Sequence, residues 1–558
     1  MSDKLQSGSP RLRESIARLE RYRQGKRRLD ARLYDEAMWW QSRHETAPAE
    51  GDSRRSGKPV SAWLFNSICN KHADLCDRMP VCTALPREPG DRADAALLSA
   101  VLPVVAARCR LKKTYSDNAW IKLRHGTAVY GVFWNPALEN GIGDIDIRRV
   151  DILNLFWEPG VTDIQDSPHL YLVGLEDRAA LESRYPVLAE AVRQGRLDPD
   201  STPADGASLL GSGGSYLLRE RDGCPEKYTV VDWYYRKALP DGRTVLHYAK
   251  YVGDILLYAS ENDPACAERG WYDHGLYPFV PDVLFPEADS PAGYGLIAVG
   301  RNPQGYIDEL DGHILEYANW ASRVRYWAKR SLGINEKEFL DPDRRIIQVE
   351  GDMDEEKLRQ ITLSPMDGML SEVRQMKIEE LKETTGTRDV NQGMSGGVTA
   401  ASAITALQEA GDKSSRDCVS GSYRAYVAVM EQVVELIRQF YTGTRCFRIA
   451  GDGGWKYIRY SNRGLRDRGT GTDAAGNPLR RRPVFDIDVR AERENPLDRA
   501  GRNELMLSLF RAGMFDPDRR AAAALALSDM DFDGIDALRA AVAPAAVATV
   551  APTAGDSE

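Results

Sequence analysis

The sequence predicts an α+β protein, predominantly helical, and three observations carry that reading. Val419, Tyr423, Tyr426, Met430, Val433, Ile437 and Phe440 recur at alternating steps of four and three. That is the apolar stripe of an amphipathic helix, and residues 399–417 before it hold good helix formers and no proline. A second stripe, Ile307, Leu310, Ile314, Tyr317, Ala321 and Val324, marks a long helix over residues 300–330. The period shortens to two in residues 127–134, 145–150, 228–235, 244–257 and 485–489, as half-buried strands require.

Taken in order, residues 12–34 mix arginine, lysine and glutamate with leucines and tyrosines at helical spacing, which predicts an exposed basic helix. Residues 47–56 have the composition of a linker. A helix is expected at 63–77, ending near Pro80, and a second at 92–116 with Leu97, Val101, Val104 and Val105 facing a core. Gly141-Ile-Gly143 between two strand-like runs predicts a hairpin. Residues 176–194 return to helix, and 197–215, with Gly211-Ser-Gly-Gly-Ser215, read as a mobile loop. Pro240-Asp-Gly242 is a turn between strands. Leu315, Trp320 and Trp327 lie off the stripe of the 300–330 helix, so that helix is apolar on more than one side and must be surrounded. Residues 331–369 form an insert with a strand-like run at 345–349 and a turn at 350–352; helix resumes at 370–384. A glycine-rich loop, 387–398, then leads into the longest helix. Residues 451–490 read as β-ribbon, with 455–460 as one arm, 485–489 as a strand and an arginine-rich tip at 463–482. Short helices follow to residue 538, and the Ala/Pro-rich end, 541–558, is expected to be disordered.

The chain has 558 residues and 42% hydrophobic content, enough for two or more domains. Its formal net charge of -9 argues against a protein that wraps nucleic acid with its whole surface. Eight scattered cysteines with no CxxC pair point to reduced thiols in a cytosolic setting. The charged residues 1–32 are not a signal peptide pattern, and the longest apolar run, 95–107, is too short to span a bilayer. Reaction motifs are missing. There is no GxxxxGK[ST], no HExxH and no GxSxG elbow in a strand-to-helix context, and Gly393-Met-Ser-Gly-Gly397 has no lysine after it, so it reads as a hinge. The seven histidines show no metal-ligand spacing; His313 reads as a packing residue. Residues 529–534 match half of a calcium loop, but Ala540 stands where the bidentate glutamate belongs, so an acidic turn is the simpler account. No catalytic residue, metal or cofactor is expected.

The order helix, insert, helix, glycine loop, long helix resembles the portal proteins, the head–tail connectors, of tailed double-stranded-DNA bacteriophages. The resemblance spans about residues 60–540. It is carried by Asn66-Ser-Ile-Cys-Asn-Lys-His72 with Met79-Pro80; Gly126 to Trp134 with Gly143-Asp-Ile-Asp-Ile-Arg148 and Asn154-Leu-Phe-Trp-Glu-Pro159; and Gly293-Tyr-Gly-Leu-Ile-Ala-Val299. Gly396-Gly-Val-Thr-Ala-Ala-Ser-Ala-Ile-Thr-Ala-Leu-Gln-Glu-Ala410 is the most specific, and Phe485-Asp-Ile-Asp-Val489 leads to Gly513-Met-Phe515. It implies a portal fold with wing, stem, clip and crown, assembled as a ring. Residues 1–59 would be a basic arm and linker, 60–299 and 399–500 wing, 300–330 and 370–386 the two stem helices, 331–369 the clip, 387–398 the tunnel loop, 501–545 the crown and 546–558 a tail.

The resemblance further implies a homo-oligomeric ring, usually of twelve copies, around double-stranded DNA at one capsid vertex of the virion, assembled in the host cytoplasm. Partners would be the terminase large subunit, a head–tail adaptor and the major capsid or scaffolding protein, with no membrane. The DNA-facing loop residues would be Arg388, Asn391, Gln392, Gly393, Met394, Ser395, Gly396 and Gly397. Stem packing and channel would use Ile307, Leu310, Ile314, Tyr317, Val324, Lys329 and Arg330, and clip contacts Arg344, Arg345, Asp352, Asp354 and Glu355. Another capsid-associated structural protein is the alternative. The resemblance gives no place to the basic first helix or the 463–482 tip.

Overall fold

The computed structural model describes residues 4–44, 60–195, 227–322, 325–328, 358–361, 366, 368–386, 413–451, 454–472, 478–493, 508, 510–513 and 523. The chain divides into two compact units, one of residues 1–76 and 80–490 and one of residues 77–79 and 491–558. In the second unit the described residues are two strand ends and a few positions between 508 and 523.

The elements run α1 (Pro10–His44), α2 (Trp63–Asp77), β1 (Arg78–Pro86), α3 (Arg92–Arg108), α4 (Leu111–His125), β2 (Thr127–Asn135), β3 (Asp144–Val150), β4 (Leu155–Phe156) and β5 (His169–Asp177). Next come α5 (Arg178–Arg184), α6 (Pro186–Arg193), β6 (Lys227–Ala238), β7 (Thr244–Val252), β8 (Ile255–Ala259), β9 (Phe279–Val283), β10 (Phe285–Pro286) and β11 (Gly293–Tyr294). The last group is α7 (Leu296–Ser322), β12 (Arg325–Ala328), β13 (Leu358–Ile361), α8 (Gly368–Thr385), α9 (Lys413–Phe440), β14 (Arg445–Gly451), β15 (Gly454–Tyr460), β16 (Arg468–Thr472), β17 (Pro478–Arg481) and β18 (Phe485–Arg493).

Strands β4 to β8 pair in chain order as a five-stranded antiparallel meander. Its alternation sorts side chains to two faces. Tyr171, Val173, Val231, Trp233, Tyr235, Ala249 and Tyr251 bury with Leu5, Leu12, Leu19 and Tyr22 of the N-terminal segment and α1. On the other face Tyr228, Val230, Val252 and Ile255 bury with Leu181, Leu188 and Ala191 of α5 and α6. A three-stranded sheet of order β3-β2-β9 carries the expected hairpin, Val129 facing Val150 and Asn135 facing Asp144. Its centre β2 is buried along Thr127–Phe133, packed by α4 and α9. Gly126 ends α4 at a φ of 88°, and a Cβ there would overlap the Tyr294 backbone.

Several expectations change. The first helix is not an exposed solvated face. α1 is a 35-residue strap, with Leu12, Leu19, Tyr22, Leu33 and Trp40 nearly inaccessible. The expected helix over 92–116 is two, because Arg110 turns left-handed at a φ of 53°. That turn lets Leu111, Tyr115, Ala119 and Leu123 bury along α4. The core side of α3 is Leu98, Val101, Leu102 and Val105, whereas Leu97 is exposed. Residues 176–194 begin as the end of β5 and then form two short helices. The partner of 455–460 is β14, and β18 pairs with β1 from the other end of the chain. The 47–56 linker, the 197–215 loop, the 529–534 turn and the 541–558 tail lie outside the described residues.

Candidate functional site

α7 and α8 form an antiparallel pair. Gly300 lies against Leu381, Tyr306 beneath the Lys377 ammonium, and Asp311 is bridged by the Arg374 guanidinium. The base of the pair sits in the body. A Cβ on Gly300 would come within 2.6 Å of Leu64 on α2, so that close approach needs glycine. Gln304, 1% exposed, fixes α7 to the start of α2. Its Oε1 accepts from Leu64 N at 3.0 Å, and its Nε2 donates to the Ser61 carbonyl at 3.0 Å.

Past Ile307, no α7 residue is fully buried, and on α8 only Ile378, Leu381 and Thr385 are. The pair therefore extends about 20 Å beyond the core at 1.5 Å per residue. Tyr306, Leu315, Trp320, Met369 and Met376 on it are each 48–59% exposed. β12 and β13 pair directly beyond, Arg325 facing Ile361, and so enclose the insert. The first expected helix thus ends at Ser322, with strand from Arg325, and the insert's base starts earlier than residue 331. Ile307 is 0% exposed and packs in the chain's own core with Leu64, Ile378 and Leu381. Its assignment to packing between subunits is corrected on that ground. Leu310, Ile314 and Tyr317 continue its side half-buried, and Leu315 and Trp320 are the apolar residues of the outer sides.

One helix, α2, holds both described ends flanking the glycine loop. At the end of α8, Thr385 Oγ1 donates to Leu381 O at 2.8 Å and hydrogen-bonds with Ser67 Oγ of α2 at 3.2 Å. Gly386 closes the helix in the left-handed region at a φ of 66°. At the start of α9, Ser415 Oγ accepts from Lys71 Nζ at 2.9 Å and donates to Asp74 Oδ2 at 2.7 Å. Ser67, Lys71 and Asp74 follow one another on one side of α2 at steps of four and three.

α9 is then locked by a buried polar cluster. Lys122 Nζ, on a fully buried side chain, donates to Asp282 Oδ1 at 2.6 Å, Ser422 Oγ at 2.8 Å and the Cys418 carbonyl at 3.2 Å. Ser422 also donates to Asp282 Oδ2 at 2.8 Å. A buried ion pair stands only when its remaining hydrogen-bonding capacity is met, and here three elements, α4, β9 and α9, meet it. The expected stripe of α9 is deeper than one face: Val429, Met430, Val433, Leu436 and Ile437 are all fully buried. At its end Trp134 and Phe440 stack at 4.6 Å, and Tyr441 donates to Asp144 Oδ1 at 2.6 Å.

The arginine-rich tip is partly neutralised. Arg468 and Arg481 both bridge the buried Asp91 at the head of α3, Arg468 also reaches Asp94, and Arg481 Nε lies 2.7 Å from Glu88. Sequence reasoning missed this pairing because the partners are more than 370 positions apart. Burial pushes the Cys82 and Cys418 thiols up to about 11. Burial first, and then the nearby guanidinium groups of Arg18, Arg11 and Arg21, bring His169 down to about 4. Loop residues Arg388, Asn391, Gln392, Gly393, Met394, Ser395, Gly396 and Gly397 lie outside the described residues. So do Val324, Lys329 and Arg330 of the stem and Arg344, Arg345, Asp352, Asp354 and Glu355 of the clip. Among the described residues no helix is long and apolar enough to cross a membrane, and no group of three metal-ligating side chains occurs.

The described body is tied together by buried polar clusters and carries a projecting pair of helices with apolar side chains on its surface. Residues 324–558 match the model of the Phage P22-like portal protein family. The match starts two residues after α7 ends and takes in α8, α9 and the ribbons β14 to β18. No curated protein matches the chain.

Proposed function

We propose that the protein is the portal of a tailed phage: a ring of identical copies at one capsid vertex through which double-stranded DNA is packaged, retained and ejected. The observation that carries this reading is the portal family match over residues 324–558. The surface supports it too. Apolar side chains on a projecting helix pair need cover, and in a ring the neighbouring copy supplies it through a heterologous contact.

In this reading α7 and α8 are the stem, with Leu310, Ile314 and Tyr317 in its seam. The insert between β12 and β13 is the clip that meets the terminase large subunit and then the head–tail adaptor. Residues 387–398 are the tunnel loop facing DNA, and the body from α2 to β18 is the wing, seated in the capsid or scaffold shell. A ring of twelve is the expected stoichiometry. The net charge of -9 suits a conduit, since an attractive lining would retard each passing phosphate. The role is structural, with no reaction of its own.

The test is imaging of the purified protein by negative-stain electron microscopy together with native mass spectrometry. Closed rings with a central hole wide enough for duplex DNA are expected. A stable monomer at every concentration, or sheets and shells in place of rings, would overturn the proposal.

A further inference from the structure

The strap helix α1 sorts its charges by side. Its inward cations are matched. Arg11 pairs with Glu261 at 2.7 Å, Arg23 with Glu20 at 3.0 Å, Lys26 with Asp30 at 3.0 Å and Arg32 with Glu287 at 2.9 Å. Arg18 pairs with Glu14 and lies against the His169 ring. Burial holds the Lys26 ammonium below its ordinary range, and Asp30 Oδ1 and the Ile152 carbonyl accept hydrogen bonds from it.

The outward cations are different. Arg13, Arg21, Arg27 and Arg28 are exposed, and among the described residues none has an acidic partner. Arg13, Ala17, Arg21, Gln24, Arg28 and Ala31 follow at steps of four, four, three, four and three, so they share one side of the helix. Arg13 to Arg28 spans about 22 Å, with guanidinium groups about 11 Å apart. Between them Ala17 and Gln24 on the same side are exposed and small or polar, and Ala31 follows one turn beyond Arg28.

We propose that this outer side of α1 is a contact surface for the phosphate backbone of duplex DNA, separate from the channel of the proposed function. It rests on that reading only for the presence of DNA. The residue types choose the occupant. A protein partner would need an aromatic or aliphatic anchor at the centre of the contact, and the stripe has none. A membrane surface would need an apolar side to insert, and the apolar side of α1 is already buried against its own sheet. Phosphate contact needs only spaced cations and small neighbours that permit close approach, and it reads no bases. Over about 22 Å a duplex offers phosphates every 3.4 Å on each strand, so each guanidinium meets one. In a chain of net charge -9, such contact is confined to this stripe and does not spread over the surface.

Covalently closed circular DNA tests this, because it has no end to thread into a channel. The full-length protein is titrated with relaxed circular duplex DNA by gel mobility shift across a range of salt concentrations. The wild type is expected to bind with an affinity that falls steeply as salt rises. The triple variant Arg13→Gln/Arg21→Gln/Arg28→Gln is expected to bind at least tenfold more weakly. Its log K against log salt slope should shrink by between about 2 and 3, near 0.9 per lost phosphate contact. Arg301→Gln, an exposed cation on α7, is expected to change neither quantity. Absence of circular-DNA binding by the wild type would overturn the proposal, as would an unchanged affinity and slope in the triple variant with a native circular dichroism spectrum. Ring formation is scored separately on the same samples, so a failure of the portal reading registers as missing rings and not as lost circular-DNA binding.

Discussion

Replacing Lys122 with methionine removes the cation from the cluster that locks α9. The chain volume is nearly kept, so packing loss is small. What remains is the Asp282 carboxylate, 2% exposed, with Ser422 Oγ at 2.8 Å as its partner within the cluster. Leaving one half of a buried pair costs about 3–5 kcal/mol. The Ser422 hydrogen bond returns about 1 kcal/mol, which puts the loss near 3 kcal/mol. A chain of this size does not melt in one step, so the suitable readout is hydrogen exchange of α4 and α9 amides, which measures local opening. At 1.4 kcal/mol per decade, protection across residues 418–437 should fall by about two orders of magnitude. The double variant Lys122→Met/Asp282→Asn should recover at least a tenfold part of it, because the neutral amide still bonds Ser422 and no charge is stranded. Protection unchanged in the single variant, or a double variant as damaged as the single, would refute the argument that this pair, and not its apolar surroundings, locks the helix.

Ser415→Ala should cost about 1–2 kcal/mol at the α2–α9 clasp; exchange of the first two α9 turns should quicken while β5 to β7 stay protected, and a uniform change would rule out a local clasp. Leu315→Glu should leave the monomer's circular dichroism native and reduce the ring fraction in native mass spectra; undiminished rings would show that this side of α7 stays free of neighbours. Deleting Gln392 to Gly397 should preserve ring assembly and impair DNA retention in particles; loss of assembly would make the loop a structural joint. His169 and His274 are both held near 4 in the fold, chiefly by burial, against an ordinary 6.5. Below 6.5 the unfolded chain takes up protons that the fold refuses. Stability should therefore fall as pH drops from 6.5 to 4, by on the order of 2 kcal/mol per histidine after allowance for solvent access. The fall of hydrogen-exchange protection in β5 and β6 with falling pH should be shallower in His169→Gln, and an identical slope would count against this origin.

Much of the framework was legible because it is written in local periods. α2 occupies 63–77 as its spacing says, the β2–β3 hairpin follows from Gly141-Ile-Gly143, and the stripe from Val419 to Phe440 lies on one helix. What was not legible depends on distant partners. Leu12, Leu19 and Tyr22 on α1 sit among so many charges that the pattern reads as solvated; five of its cations find carboxylates or carbonyls, several of them far along the chain. The break at Arg110 has no glycine or proline to announce it. The link of Asp91 to Arg468 and Arg481 joins the first and last quarters of the chain. The portal resemblance was legible in the order of elements from α7 onward, and the family match falls on the part of that order after α7. The two clasps on α2 were not, since serine and threonine at helix ends look like ordinary caps.

The clasps give α2 a mechanical part. Thr385, just before the 387–412 segment, bonds Ser67, and Ser415, just after it, bonds Lys71 and Asp74, so both flanks hold the same side of one short helix. The start of that helix is tied through Leu64 and Gln304 to the foot of α7. The described flanks of that segment and the foot of α7 are thereby fastened to one short helix, which makes α2 a shared anchor for both.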